Sequence, residues 1–188
     1  MTRLTFSDIN SGWLNNCRQL VSTNCDIRPD PEDINLLVIH NISLPAGEFA
    51  TGYIEQLFTN CLDCQCHPSF TDLQGLKVSA HFLIDRSGAT TQFVPLHLRA
   101  WHAGVSEFNG RSQCNDYSIG IELEGCDNLA YSEQQYRSLS ILIAQIQRLY
   151  PAITANRIVG HSDIAPIRKT DPGPAFDWPY LHQLLEQQ

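Results

Sequence analysis

The chain has 188 residues, 43% of them hydrophobic, and twelve basic against twenty acidic side chains give it a formal net charge of −8. That acidity argues against non-specific attachment to nucleic acid or to an anionic membrane surface, and no apolar stretch approaches the ~18 residues that a membrane span requires. The length suits one domain, 1–188, with a core of its own; the opening Met1 to Leu14 lacks a basic-then-apolar export pattern, so a cytoplasmic protein is expected, with its seven cysteines reduced and unpaired.

No repeat, heptad pattern or low-complexity tract interrupts the chain. Arg28-Pro29-Asp30-Pro31 breaks the backbone ahead of Asn35-Leu36-Leu37-Val38-Ile39-His40. That unbroken apolar run predicts a strand covered on both faces, with His40 at its carboxyl end. Thr51 to Phe58 reads as a short helix, with Ile54, Leu57 and Phe58 at helical spacing. Ser79 to Asp85 and Thr90 to Val94 flank Arg86-Ser87-Gly88-Ala89, which predicts an antiparallel hairpin. In Tyr117 to Leu123, Ile119, Ile121 and Leu123 alternate with Ser118, Gly120 and Glu122, so Glu122 leaves the apolar face of a strand.

Ser132-Glu133-Gln134-Gln135 is a capping-box pattern ahead of Leu139, Leu142, Ile143, Ile146 and Leu149. It predicts a long amphipathic helix running to about Tyr150, just before Pro151. Arg157-Ile158-Val159-Gly160 reads as a short strand, and Pro166, Pro172, Gly173 and Pro174 then shape a loop over Ser162 to Phe176. A last helix is expected from near Asp177. Strands and helices mix without regular alternation, which points to the α/β class in the broad sense: a central mixed sheet flanked by helices.

His40 and His161 each follow a short apolar run directly, and carboxyl ends of strands in open α/β sheets line ligand crevices. Asp171 lies on the proline-shaped loop beyond His161, where a carboxylate can return towards both. Two imidazoles and a carboxylate form the three-ligand set of a catalytic zinc site, which leaves one position open. Zinc there lowers the pKa of water from 15.7 towards ~7 and polarises a carbonyl. Glu122, beside the space left by Gly120, is the candidate general acid and base. Lys169 shares a side of an extended loop with Asp171, so its ammonium could stabilise an oxyanion. Taken singly, each of these residues also reads as an ordinary strand-end histidine or a surface charge.

Read together, Val38-Ile39-His40-Asn41, Trp101-His102-Ala103-Gly104, Ser118 to Gly125, and Gly160-His161 through Asp171-Pro172-Gly173-Pro174 resemble the AmpD type of N-acetylmuramoyl-L-alanine amidase, in order from about residue 13 to residue 180. The resemblance implies a Zn2+ enzyme with ligands His40, His161 and Asp171 and catalytic residues Glu122 and Lys169. It implies hydrolysis of the amide between 1,6-anhydro-N-acetylmuramic acid and L-alanine in muropeptides returned to the cytoplasm, with consequences for peptidoglycan recycling and β-lactamase induction. The partner is then a small-molecule muropeptide bound by a monomer, with no nucleic acid and no membrane. Trp101, His102 and Ala103 would line the pocket, and Arg168, Arg111 and Lys77 would meet the carboxylates of the stem peptide. Gln113 stands where the family tends to carry arginine, a contact that Arg111 could supply.

Other clusters compete for attention. Cys61, Cys64, Cys66 and His67 offer soft ligands, but their C-x-C spacing makes a closed tetrahedral site awkward, and a reduced loop is the expectation. His81 is expected to be a packed strand histidine, and His67, His97 and His182 to serve surface or packing roles. The rival function is a muropeptide-binding sensor that has lost catalysis; the complete ligand set and Glu122 favour the enzyme.

Overall fold

The apolar run ahead of His40 becomes a central strand because both of its faces are covered by other elements. In the computed structural model, which describes residues 5–6, 11–15 and 17–188, the main sheet contains β1 (Arg18–Gln19), β2 (Leu36–Ile42), β3 (Phe82–Ile84), β4 (Thr90–Gln92), β5 (Ser118–Glu124) and β6 (Ile158–Gly160). Their order is β6-β2-β5-β3-β4-β1. The strands β6, β2, β5 and β3 are mutually parallel, β3 and β4 form the antiparallel hairpin, and β1 runs parallel to β4.

The helices are α1 (Tyr53–Phe58), α2 (Glu133–Leu149), α3 (His161–Ile164) and α4 (Trp178–Leu185). Leu37 and Ile39 of β2 join Ile119, Ile121 and Leu123 of β5 on the face packed against Leu139, Leu142, Ile143 and Ile146 of α2, with Leu181 of α4 in the same cluster. On the other face, Leu36 and Val38 pack with Ala103, Tyr117, Val159 and Ile164. The fold class is therefore mixed α/β, with helices on the sheet. Among the described residues no helix is long and apolar enough to cross a membrane.

The capping box forms as the sequence predicts. Ser132 Oγ accepts from Gln135 N and Gln135 Oε1 accepts from Ser132 N, both at 3.1 Å. Buried Gln135 Nε2 also donates to the carbonyls of Ile84 and Glu124, tying the helix start to the ends of β3 and β5. Ser132→Ala is expected to cost about 1 kcal/mol. For a domain of this size that lowers the melting temperature by roughly 2–4 °C, measurable by thermal unfolding alongside an unchanged hydrolysis rate.

Several bounds differ from the sequence expectation: β2 runs past His40 to Ile42, so His40 is not its last residue, and β4 ends at Gln92, short of Val94. The first strand of the hairpin is shorter than Ser79 to Asp85, because Ser79 N turns to the carbonyl of Trp101 and His81 N to that of Gly120. The segment after Gly160 is not loop from the outset. It opens with α3, whose four residues are too few to show a helical period and whose start is held by Asp163 accepting from Gly160 N at 2.7 Å.

Candidate metal centre and active site

Sheet register brings the chemistry together. In the parallel pairings Glu122 of β5 lies opposite His40 of β2, and Gly160 of β6 lies opposite Ile39. His161, the next residue, therefore falls beside His40, and the three side chains occupy neighbouring positions on one face. His40 Nδ1 and His161 Nδ1 are 2.9 Å apart, and Asp171 Oδ2 lies 3.0 Å from the first and 3.1 Å from the second. Among the described residues this is the group of histidine, cysteine or acidic side chains whose ligand atoms converge as a metal site requires.

The donor set fits a divalent cation. His40 is 1% exposed and His161 2%, and burial pushes the His40 imidazole down to about 4 against the pull of Asp171. The Nε2–H of His161 donates to the carbonyl of Ala103 at 3.0 Å, so its Nδ1 carries a free lone pair. Burial opposes ionisation of Asp171, but its close approach to the imidazoles of His161 and His40 outweighs that and holds the carboxyl well below the usual range. One carboxylate and two imidazoles match a catalytic zinc site.

Asp171 is held from behind. Ser162 N donates to its carbonyl, and the carbonyl of Pro172 accepts from Asn41 Nδ2 and from Tyr131 OH at 3.1 and 2.7 Å. Asp127 braces Asn41 at 2.8 Å. Sequence reasoning assigned nothing to Asn41, Asp127 or Tyr131. The only signal available was the position of Asn41 next to a proposed ligand.

Glu122 is buried, and its Oε2 has no hydrogen-bond partner within the protein. Burial raises its pKa well above the ordinary carboxyl value, the charge of Asp171 raises it further, and the charge of Lys169 opposes both. Lys169 is half-buried and also acts on His40. The amides of Arg168 and Lys169 both donate to the carbonyl of Ala165 at 2.9 Å, so a tight turn leads from α3 into Lys169.

Comparison with known proteins agrees with this geometry. The family model described as N-acetylmuramoyl-L-alanine amidase matches residues 30–174. The chain belongs to that family. It is 52% identical over 180 residues to the 1,6-anhydro-N-acetylmuramyl-L-alanine amidase AmpD of Escherichia coli K12, covering 96% of this chain and 98% of that protein. The AmpD of Haemophilus influenzae is 53% identical, covering 91% and 93%. Among solved structures, a selenomethionine AmpD derivative superposes with a TM-score of 0.92 at 51% identity, over 96% of this chain and 99% of that one. AmpDh3 of Pseudomonas aeruginosa in complex with anhydromuramic pentapeptide gives 0.61 at 29% identity, over 90% and 64%.

The amidase site is walled by the loop Trp101 to Gly104. Asn115 Oδ1 accepts from the amides of His102 and Ala103 at 3.1 and 2.8 Å, and Arg168 Nη2 donates to the carbonyls of Ala103 and Val105 at 2.7 and 2.8 Å. Arg168 thus braces the wall. Trp101 Nε1 donates to Asp26, and Ala103 is fully buried. His102 is tied to the metal centre itself. Its ring packs over Gly120, where an added Cβ would lie 2.5 Å from it, and its Nδ1 meets His40 Nε2 at 2.9 Å. Gly120→Ala is expected to cost on the order of 1–3 kcal/mol through overpacking, seen as a lower denaturant midpoint with an unchanged m-value.

The two other basic candidates make contacts of their own. Arg111 pairs with Asp33 at 2.6 Å and lies over the Tyr117 ring at 3.8 Å. Asp33 is distant from Arg111 in sequence, so the pattern gave no sign of that pair. Lys77 is exposed and borders a separate groove with Leu57, Asn60, Leu62 and Leu73. His81 is buried and accepts from Gly120 N through Nδ1, as a packed histidine does. The seven cysteines are free thiols, and His67 Nδ1 accepts from Ser69 N, capping a short 3-10 turn.

Proposed function

We propose that the chain hydrolyses the amide bond between 1,6-anhydro-N-acetylmuramic acid and L-alanine of muropeptides, using zinc held by His40, His161 and Asp171. The observation that carries this reading is the convergence of three ligand atoms within 4.8 Å of one another, beside an unpartnered buried carboxylate oxygen of Glu122. Identity above half to proteins named for that amidase activity supports the choice of substrate. The complex of AmpDh3 with anhydromuramic pentapeptide supports a pocket for the same ligand class.

Zinc bound there supplies Lewis-acid polarisation of the scissile carbonyl and a more acidic water. The protein residues do the rest. The Glu122 carboxylate takes a proton from the attacking water and then gives it to the leaving nitrogen, an exchange that burial favours by raising its proton affinity. The Lys169 ammonium offsets charge developing on the carbonyl oxygen. His40 and His161 stay neutral and oriented, and Asp171 supplies the negative charge. Trp101 bounds the substrate side, with Arg168 at the rim to receive a stem-peptide carboxylate.

Within this reading residues 1–188 act as one domain and as a monomer in cytoplasmic cell-wall recycling, for which seven free thiols suit a reducing compartment. Purified protein should release free peptide from an anhydromuropeptide, identified by mass, and lose that activity on chelation and regain it with zinc. Binding of the muropeptide without release of peptide, at full zinc occupancy, would instead identify a sensor.

A further inference from the structure

The outer nitrogens of both ligand histidines end on one loop. His161 Nε2 donates to the carbonyl of Ala103 at 3.0 Å, and His40 Nε2 lies 2.9 Å from His102 Nδ1. The far nitrogen of His102 lies 3.2 Å from Ser118 Oγ, on the strand that also carries Glu122. His102 cannot drift from this position. Its ring fills the space over Gly120, where a Cβ would come within 2.5 Å, and its own amide is held by Asn115.

An imidazole that presents Nδ1 to a cation must carry its proton on Nε2, so the outer partner decides the ligand tautomer. For His161 that partner is a carbonyl, which only accepts, and the tautomer is fixed. For His40 the partner is an imidazole, able to accept or donate, and the choice passes to His102. A proton on His102 Nδ1 would push the His40 proton onto its Nδ1, towards His161 Nδ1 at 2.9 Å, where the ligand lone pair belongs.

We infer that His102 is a positioning residue of the metal centre: its Nδ1 accepts from His40 Nε2 and its Nε2 donates to Ser118 Oγ, fixing His40 as a bare-Nδ1 ligand. The inference rests on the zinc reading above. One loop then serves both histidines, through a backbone carbonyl at Ala103 and a side chain at His102, and Asn115 holds the loop to that task.

The direct test is nitrogen–proton correlation NMR on the unaltered, zinc-loaded protein, which should place protons on Nε2 of His40, His161 and His102. In competition with a chromophoric chelator, His102→Leu should bind zinc about 10–100-fold more weakly. His102→Asn, whose side-chain oxygen can take the place of Nδ1, should recover most of the loss, whereas a packing role alone would favour leucine over asparagine. A proton on His102 Nδ1 in the loaded protein, or an undiminished affinity in folded His102→Leu, would overturn the inference and leave the amidase reading standing. An unaltered chain that binds no zinc would overturn both. If the leucine variant does not fold, the NMR result on the parent decides.

Discussion

Asp171→Ala is expected to abolish stable zinc binding and, with it, hydrolysis. Asp171 is the one anionic member of the centre, and its Oδ2 lies within 3.1 Å of both imidazole nitrogens. Without it, a doubly charged ion would sit in a buried site facing two neutral rings, with His40 kept neutral by burial down to about 4. An unpaired buried charge is strongly unfavourable. The loss of affinity should therefore exceed the ~10–100-fold typical of removing an outer-shell partner. The fold should persist, because the contacts that shape the segment are made by main chain: Ser162 N to the Asp171 carbonyl, and Asn41 and Tyr131 to the Pro172 carbonyl. Metal content after dialysis, together with circular dichroism, reads both halves of the prediction. A folded variant that retains one zinc per chain would remove Asp171 from the ligand set.

What could be read in advance follows the range of the interaction involved. The apolar run Leu36 to Ile39 announces a strand buried on both faces, and the alternation in Ser118 to Glu124 separates Glu122 from Ile121 and Leu123, because side-chain direction in a strand is a local property. The capping box at Ser132 and the helix after it are local in the same sense. Register is not local. That Glu122 lies opposite His40, and that His161 follows the residue opposite Ile39, depends on which strands become neighbours, and no single stretch of chain states it. The turn through Ala165 that leads into Lys169 and the pairing of Arg111 with Asp33 are likewise set by the fold and not by local pattern. The contact between His102 and His40 joins residues far apart in the chain across a space that only Gly120 leaves open, so no motif could announce it.

Glu122→Gln separates the chemistry from the architecture. The amide has the shape of the carboxyl and fills the same buried position opposite His40, so zinc binding should be retained. Turnover should fall by about 10²–10⁴-fold, the usual contribution of a positioned acid–base group. A variant that kept full activity would take the proton-transfer role away from Glu122. The same substitution should stabilise the zinc-free protein near neutral pH. Burial raises the folded-state pKa of Glu122 well above normal, while in the unfolded chain the group ionises near ~4.3. Between those two values the folded state binds the extra proton, so stability falls as pH rises through the window, and the penalty is complete above the folded pKa. Glutamine removes that penalty. Zinc-free Glu122→Gln should therefore unfold at higher denaturant than the zinc-free parent at pH 7, with the difference closing as the pH approaches ~4. Equal pH profiles for the two proteins would mean that the carboxyl is solvated in the absence of metal, and that burial does not poise it for proton transfer.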